Sequence, residues 1–96
     1  MIKSFASKAT EEIYHGVSSK SAKSFPESIW GVAQRKLDMI NAAHLLSDLR
    51  IPPGNRLERL KGNMSSYHAL RINDQFRIVF RWVDGHAFEV TIVDYH

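Results

Sequence analysis

Asp94, Tyr95 and His96 place a carboxylate, a phenol and an imidazole in consecutive positions at the end of the run AFEVTIVDYH. Each is a proton-transfer group, and the imidazole titrates nearest neutrality. Upstream lie two basic segments, Arg59-Leu60-Lys61-Gly62 and Arg71-Ile72-Asn73-Asp74-Gln75-Phe76-Arg77. Arginine contacts phosphate oxygens in a bidentate fork. Proton-transfer groups beside such cations are suited to handling a phosphodiester.

Chain ends usually fray, so these groups are useful only if secondary structure holds them. The spacing predicts helices first and strands afterwards. Met1 to Phe5 reads as a short strand, and Ala6 to His15 as a short helix closed by Gly16. Val17 to Ser24 is a connector rich in Ser and Lys. Ser24-Phe25-Pro26-Glu27 has the form of a capping box. The helix behind it aligns Ile29, Val32, Ala33, Leu37 and Ile40 on one stripe and runs to about Ala43. Ala42 to Leu49 adds a short turn of helix, and Ile51-Pro52-Pro53-Gly54-Asn55 makes a loop.

Beyond that loop the period becomes two. Strands are expected at Leu57 to Leu60, Tyr67 to Ile72, Gln75 to Trp82 and Ala87 to Asp94. Asn73-Asp74 and Asp84-Gly85 are the hairpin signals. The class is therefore α+β, one domain over residues 1–96, with the helices on one face of an antiparallel sheet.

Alternation assigns faces. Leu70, Ile72, Phe76, Ile78, Phe80, Trp82, Phe88, Val90 and Ile92 should face the helices. Arg71, Arg77, Arg81 and Tyr95 should share the opposite face, with Asp94 and His96 at its rim. Arginines on a polar outer face are often merely solvated. With a tyrosine beside them, they can also hold single-stranded RNA, phosphates on the cations and a base on the ring. His68 has inward parity, which suits a hydrogen-bonded core role, and Trp30 and Trp82 suit the core or an interface.

Composition sets the outer limits. Ninety-six residues support one core. A net charge of +3 favours an anionic partner. The absence of cysteine removes disulfides and thiolate metal sites and fits a reducing compartment. Residues 1–16 contain no sustained apolar run, so neither a signal peptide nor a membrane span is expected, and the chain reads as cytoplasmic. The five histidines show no ligand spacing, so no metal or other cofactor is expected.

Four segments taken together, MIKSF, LRIPPGNRLERLKGN, YHALRINDQFRIVFRW and the terminal VDYH, resemble the HigB toxins of the RelE/ParE superfamily. The resemblance spans most of the chain outside residues 17–27. It implies a bacterial type II toxin that cuts mRNA in the ribosomal A site. It also implies a HigA-type helix-turn-helix antitoxin as partner, with operator DNA reached only through that antitoxin. Asp94, Tyr95 and His96 match the family's catalytic ending, and Arg77 matches a sheet arginine expected near the scissile phosphate. Lys61 and Arg71 match positions that hold RNA or ribosomal RNA, and Arg59 and Arg81 extend the basic surface. Some relatives carry a histidine three residues before the lysine of the L-x-x-L-K-G segment, where this chain has Glu58. Glu, with a reference pKa of about 4.3, is a weaker base at neutral pH than His at about 6.5.

The mechanism implied needs a base for the 2′-OH, an acid for the leaving 5′-oxygen and cations for the phosphorane. His96 is the expected base, with Glu58 as second choice. Arg77, helped by Arg71, stabilises the transition state. Tyr95 stacks on or orients a nucleotide, and Asp94 either holds His96 or protonates the leaving group. The same fold also admits a non-catalytic ParE-like toxin that binds DNA gyrase, or a binding module whose catalysis has decayed.

Overall fold

The computed structural model describes residues 1–64 and 66–95. Two helices, α1 (Lys8–Tyr14) and α2 (Trp30–Ala42), precede four strands, β1 (Glu58–Arg59), β2 (Tyr67–Arg71), β3 (Phe76–Val83) and β4 (His86–Asp94). The sheet is antiparallel in the order β1-β2-β3-β4. Single turns of 3-10 helix at Ala22–Ser24, Glu27–Ile29, Leu46–Arg50, Pro53–Asn55 and Gly62–Met64 fill the connections.

The core lies between the helices and one face of the sheet. Ile29, Ala33, Leu37 and Ile40 bury the expected stripe against Leu70, Ile72, Phe76, Ile78, Phe80, Val90 and Ile92. Fully burying each large aliphatic side chain stabilises the fold by roughly 1.5–3 kcal/mol.

Both hairpins form, the β3–β4 one on its expected two-residue turn. Asp84 and Gly85 take φ of 49° and 80°, the left-handed pair of a two-residue turn that matches strand twist. The β2–β3 connection is longer than the expected Asn73-Asp74 pair, running over residues 72–75. Asn73 Oδ1 accepts from the amides of Gln75 (2.9 Å) and Phe76 (2.8 Å), an Asx turn that fixes the loop.

Three local expectations are corrected. The capping box does not form: Ser24 Oγ donates to the Ser21 carbonyl (2.7 Å), and α2 starts only at Trp30 after the turn over Glu27–Ile29. Ser24 belongs to its own helical turn, so its hydroxyl is spent there. Met1 to Phe5 is not a continuous strand but two parallel bridges to β4, Ile2 with Ala87 and Phe5 with Val90. Phe88 does not face the helices. A bulge in β4 between the pairs Val79–Thr91 and Arg81–Phe88 sets two residues against one, with Glu89 at φ 55°. Inward parity therefore passes from Val90 to Ala87, both buried, and Phe88 turns to the outer face beside Arg81.

The free edge of β4 is covered along its length. The backbone of Lys3, Ser4 and Ala6 pairs with Ala87 and Val90, and Ser4 Oγ accepts from the Glu89 amide (2.8 Å). The Ile92 amide donates to Thr10 Oγ1 (2.9 Å), a hydroxyl with no exposure to solvent. Edge amides must find partners somewhere. Here they tie the segment carrying Asp94 and Tyr95 to α1.

Candidate functional site

The outer face of the sheet is built in cross-strand rows. Register pairs Arg71 with Arg77, Ala69 with Val79 and Tyr67 with Arg81, and continues to Val93, Thr91 and Phe88 on β4. Ala69 and Val79 are buried although they point away from the helices. The rows beside them carry arginine and tyrosine stems long enough to cover small apolar neighbours. The result is an apolar floor with cations and rings around it.

At one end the face is cationic and tightly tied to the β2–β3 turn. Arg77 lies over the Tyr95 ring, its guanidinium carbon 5.2 Å from the centroid. Its Nη1 donates to the carbonyls of Asn73 (2.5 Å) and Phe76 (3.1 Å). Arg71 pairs with Asp74. Gln75 Nε2 donates to Asp94 Oδ2 (3.0 Å), and the Gln75 carbonyl accepts from the Tyr95 amide (2.6 Å). The Asn73–Arg77 segment thus sets the positions of Arg77, Asp94 and Tyr95 together. Tyr95 remains 42% exposed, open to a stacking partner.

Lys36, absent from the sequence-based candidates, belongs to this end. It reaches from α2 to the Arg71 carbonyl through Nζ (2.5 Å). Burial, then Arg71, Arg35 and Arg77, lower its ammonium pKa below the ordinary lysine value. Only its place one helical position before the buried Leu37, at the edge of the apolar stripe, hinted that it lay near the sheet.

The opposite end carries a different network. Arg81 Nε donates to Glu89 Oε2 (2.9 Å), and its guanidinium lies over Phe88, 5.1 Å from the centroid. The Glu89 carboxylate beside Tyr67 raises the phenol pKa, and Arg81, then Tyr67, hold Glu89 below the usual carboxylate range.

The remaining sequence candidates fall as follows. Glu58 pairs with Ala69 and so shares the outer face by register. Two strand spacings and two residues separate it from Arg77, about 12 Å between Cα atoms. Arg59 pairs instead with His68, on the other face, and both line a cleft of about 390 Å³ with Leu46, Ser47, Arg50, Leu57 and Glu58, so Glu58 at the sheet edge borders this cleft as well as the outer face. Arg59 is not brought together with Arg71, Arg77 and Arg81. Lys61 is exposed in the turn after β1. His96 lies outside the described residues. His68 is half-buried against Phe80 (6.0 Å between centroids), and burial, then Arg59, lower its pKa. Among the described residues no three of His, Cys, Asp or Glu come together to share a metal ion, and no helix is long and apolar enough to cross a membrane.

A family model described as the RelE-like toxin of type II toxin–antitoxin system HigB matches residues 3–96. The chain belongs to the HigB-like toxin family. It is 44% identical over 92 residues to toxin HigB-1 of Vibrio cholerae serotype O1, covering 96% of this chain and 94% of that protein. Its fold is that of the RelE/ParE-like toxins. The YoeB–YefM complex from Staphylococcus aureus superposes with a TM-score of 0.62 at 20% identity, covering 100% of this chain and 98% of that one. A YafQ mutant from Escherichia coli superposes with 0.56 at 11% identity, covering 98% and 93%. At those identities the likeness is one of fold. This HigB-family chain is a toxin of a type II toxin–antitoxin system.

Proposed function

We propose that this toxin is a ribosome-dependent endoribonuclease that cuts mRNA in the A site by attack of the 2′-OH, without a metal. The observation that carries the reading is the Arg77–Tyr95 pair on the open sheet face, 5.2 Å apart and held with Asp94 by one turn. Cations fixed by backbone carbonyls need little reorganisation when phosphorane charge develops. In the reaction, the 2′-oxygen bonds to phosphorus and the P–O5′ bond breaks. His96, with Glu58 as second choice, takes the 2′-OH proton, and Asp94 orients His96 or supplies a proton to the leaving 5′-oxygen. The products are a 2′,3′-cyclic phosphate and a 5′-hydroxyl. Arg77, with Arg71, stabilises the equatorial oxygens, and Tyr95 stacks on a nucleotide.

Glu58 and Arg77 stand about 12 Å apart across the apolar floor. Lys36 and Lys61 extend the basic surface toward RNA or ribosomal RNA; Arg81 lies on the RNA face with its charge paired to Glu89, and Arg59, on the other face, would have to reach the RNA around the sheet edge. The partner in the resting cell is a HigA-type antitoxin, which supplies the contact with operator DNA, and the site of action is the cytoplasm.

The test is induction of the wild-type chain, Arg77→Ala and a chain lacking His96 in bacteria, followed by mapping of mRNA 5′ ends. Cuts within translated frames that fade in both variants support the reading. Growth arrest with intact mRNA overturns it in favour of a ParE-like toxin that acts on gyrase.

A further inference from the structure

The outer face is electrostatically divided, and the division comes from one residue. Glu89 adopts φ 55°, a conformation uncommon for any residue with a Cβ. The β4 bulge around it sets Phe88 opposite Arg81 on the outer face. Bulges re-aim side chains in this way. Here the carboxylate meets Arg81 and Tyr67, and the guanidinium meets the Phe88 ring. Arg81 therefore brings no net charge to its end of the sheet, unlike Lys36 and Arg77 at the other end.

We propose that Glu89, Tyr67, Arg81 and Phe88 form a nucleobase-reading subsite that accepts the exocyclic amino group of adenine, cytosine or guanine in preference to uracil. The inference rests on the endoribonuclease reading for where RNA lies, and adds which bases it favours. An ionised carboxylate offers about four lone-pair positions. Arg81 Nε occupies one of them, and even with the Tyr67 phenol beside it the carboxylate can still accept from a base amino group. Uracil has no amino group and turns carbonyl oxygens toward the carboxylate on both sides of its single N–H. The Arg81–Glu89 pair is well exposed, at 35% and 48%, and exposed pairs are weak, so a base can share it without displacing a strong contact. Arg77 and Arg81 are four residues apart on β3, about 13 Å. The subsite thus reads a base near the scissile link rather than the link itself.

Cleavage of ribosome-bound messages carrying each base at each A-site codon position, by the wild type and by Glu89→Gln, tests the proposal. The wild type should disfavour uracil at one position by at least about fivefold, and Glu89→Gln should reduce that ratio below about twofold. Tyr67→Phe should fall between them. A Glu89→Gln protein with the wild-type base ratios overturns the subsite while leaving the endoribonuclease reading intact. So does a variant that loses only antitoxin affinity. If no wild-type cleavage occurs, the endoribonuclease reading fails, and equilibrium binding of short oligoadenylate, oligocytidylate and oligouridylate decides the subsite. A wild-type preference against oligouridylate that Glu89→Gln abolishes supports it, and equal affinities overturn it.

Discussion

Replacing Thr10 by valine should destabilise the protein far more than its place on a seven-residue helix suggests. The side chain is fully buried, and its Oγ1 accepts from the Ile92 amide (2.9 Å) and lies 2.7 Å from Ser7 Oγ. Valine keeps the branched shape but removes the acceptor, leaving the Ile92 N–H on a covered sheet edge without a partner. An orphaned buried donor costs about 1–3 kcal/mol. With about 2 kcal/mol as the middle value, and about 4–8 °C per kcal/mol for a chain of this size, the melting temperature should fall by about 8–16 °C. Ser7→Ala is the control. It removes the N-cap acceptor for the Thr10 amide (3.2 Å), worth about 1 kcal/mol, but leaves the contact from Thr10 to Ile92. Thermal unfolding followed by circular dichroism gives both shifts, and hydrogen exchange at the Ile92 amide locates the damage. A Thr10→Val protein within about 0.5 kcal/mol of wild type, or one less affected than Ser7→Ala, would refute the reasoning.

Other outcomes follow from the same contacts. Asn55 Nδ2 donates to the carbonyls of Leu49 (3.2 Å) and Ile51 (3.4 Å) from a fully buried position; Asn55→Ala should lower stability by about 2 kcal/mol, read by urea denaturation. His68 has a folded pKa below its unfolded value of about 6.5. The unfolded chain therefore binds more protons just below that pH, so stability should fall as pH drops through about 6.5 and level off below the folded pKa. A His68→Gln variant that kept the same slope would contradict that assignment. Lys36→Ala should weaken single-stranded RNA binding and reduce the salt slope of log affinity by about 0.7 if its ammonium neutralises one phosphate; titrations at several salt concentrations measure it.

Much of the sheet was legible because a period of two leaves little choice of face. Leu70, Ile72, Phe76, Ile78, Phe80, Val90 and Ile92 are all buried, and register sets Arg71 beside Arg77 on the other side. Alternation failed where its premise failed. A left-handed Glu89 carries no signal in the sequence, so Phe88 was assigned to the wrong face. Arg59 illustrates a second limit: one residue along a two-residue strand separates it from the face that holds Glu58. Long-range polar contacts were also hidden. The bonds from Ile92 to Thr10 and from Lys36 to the Arg71 carbonyl span 82 and 35 positions of chain, and local pattern says nothing about either. Ser24 and Glu27 had the right spacing for a cap, but competing 3-10 turns used both residues first.

The account rests most heavily on Arg77, and single-turnover cleavage of a ribosome-bound message by the wild type and Arg77→Ala tests it most directly. Loss of a fixed cation at developing phosphorane charge should slow cutting by about 100- to 1,000-fold. The variant should remain folded, with a melting temperature lowered by the loss of the bonds from Arg77 to the Asn73 and Phe76 carbonyls. Cleavage at the wild-type rate by a folded Arg77→Ala protein would contradict the placement of the reaction on this face of the sheet.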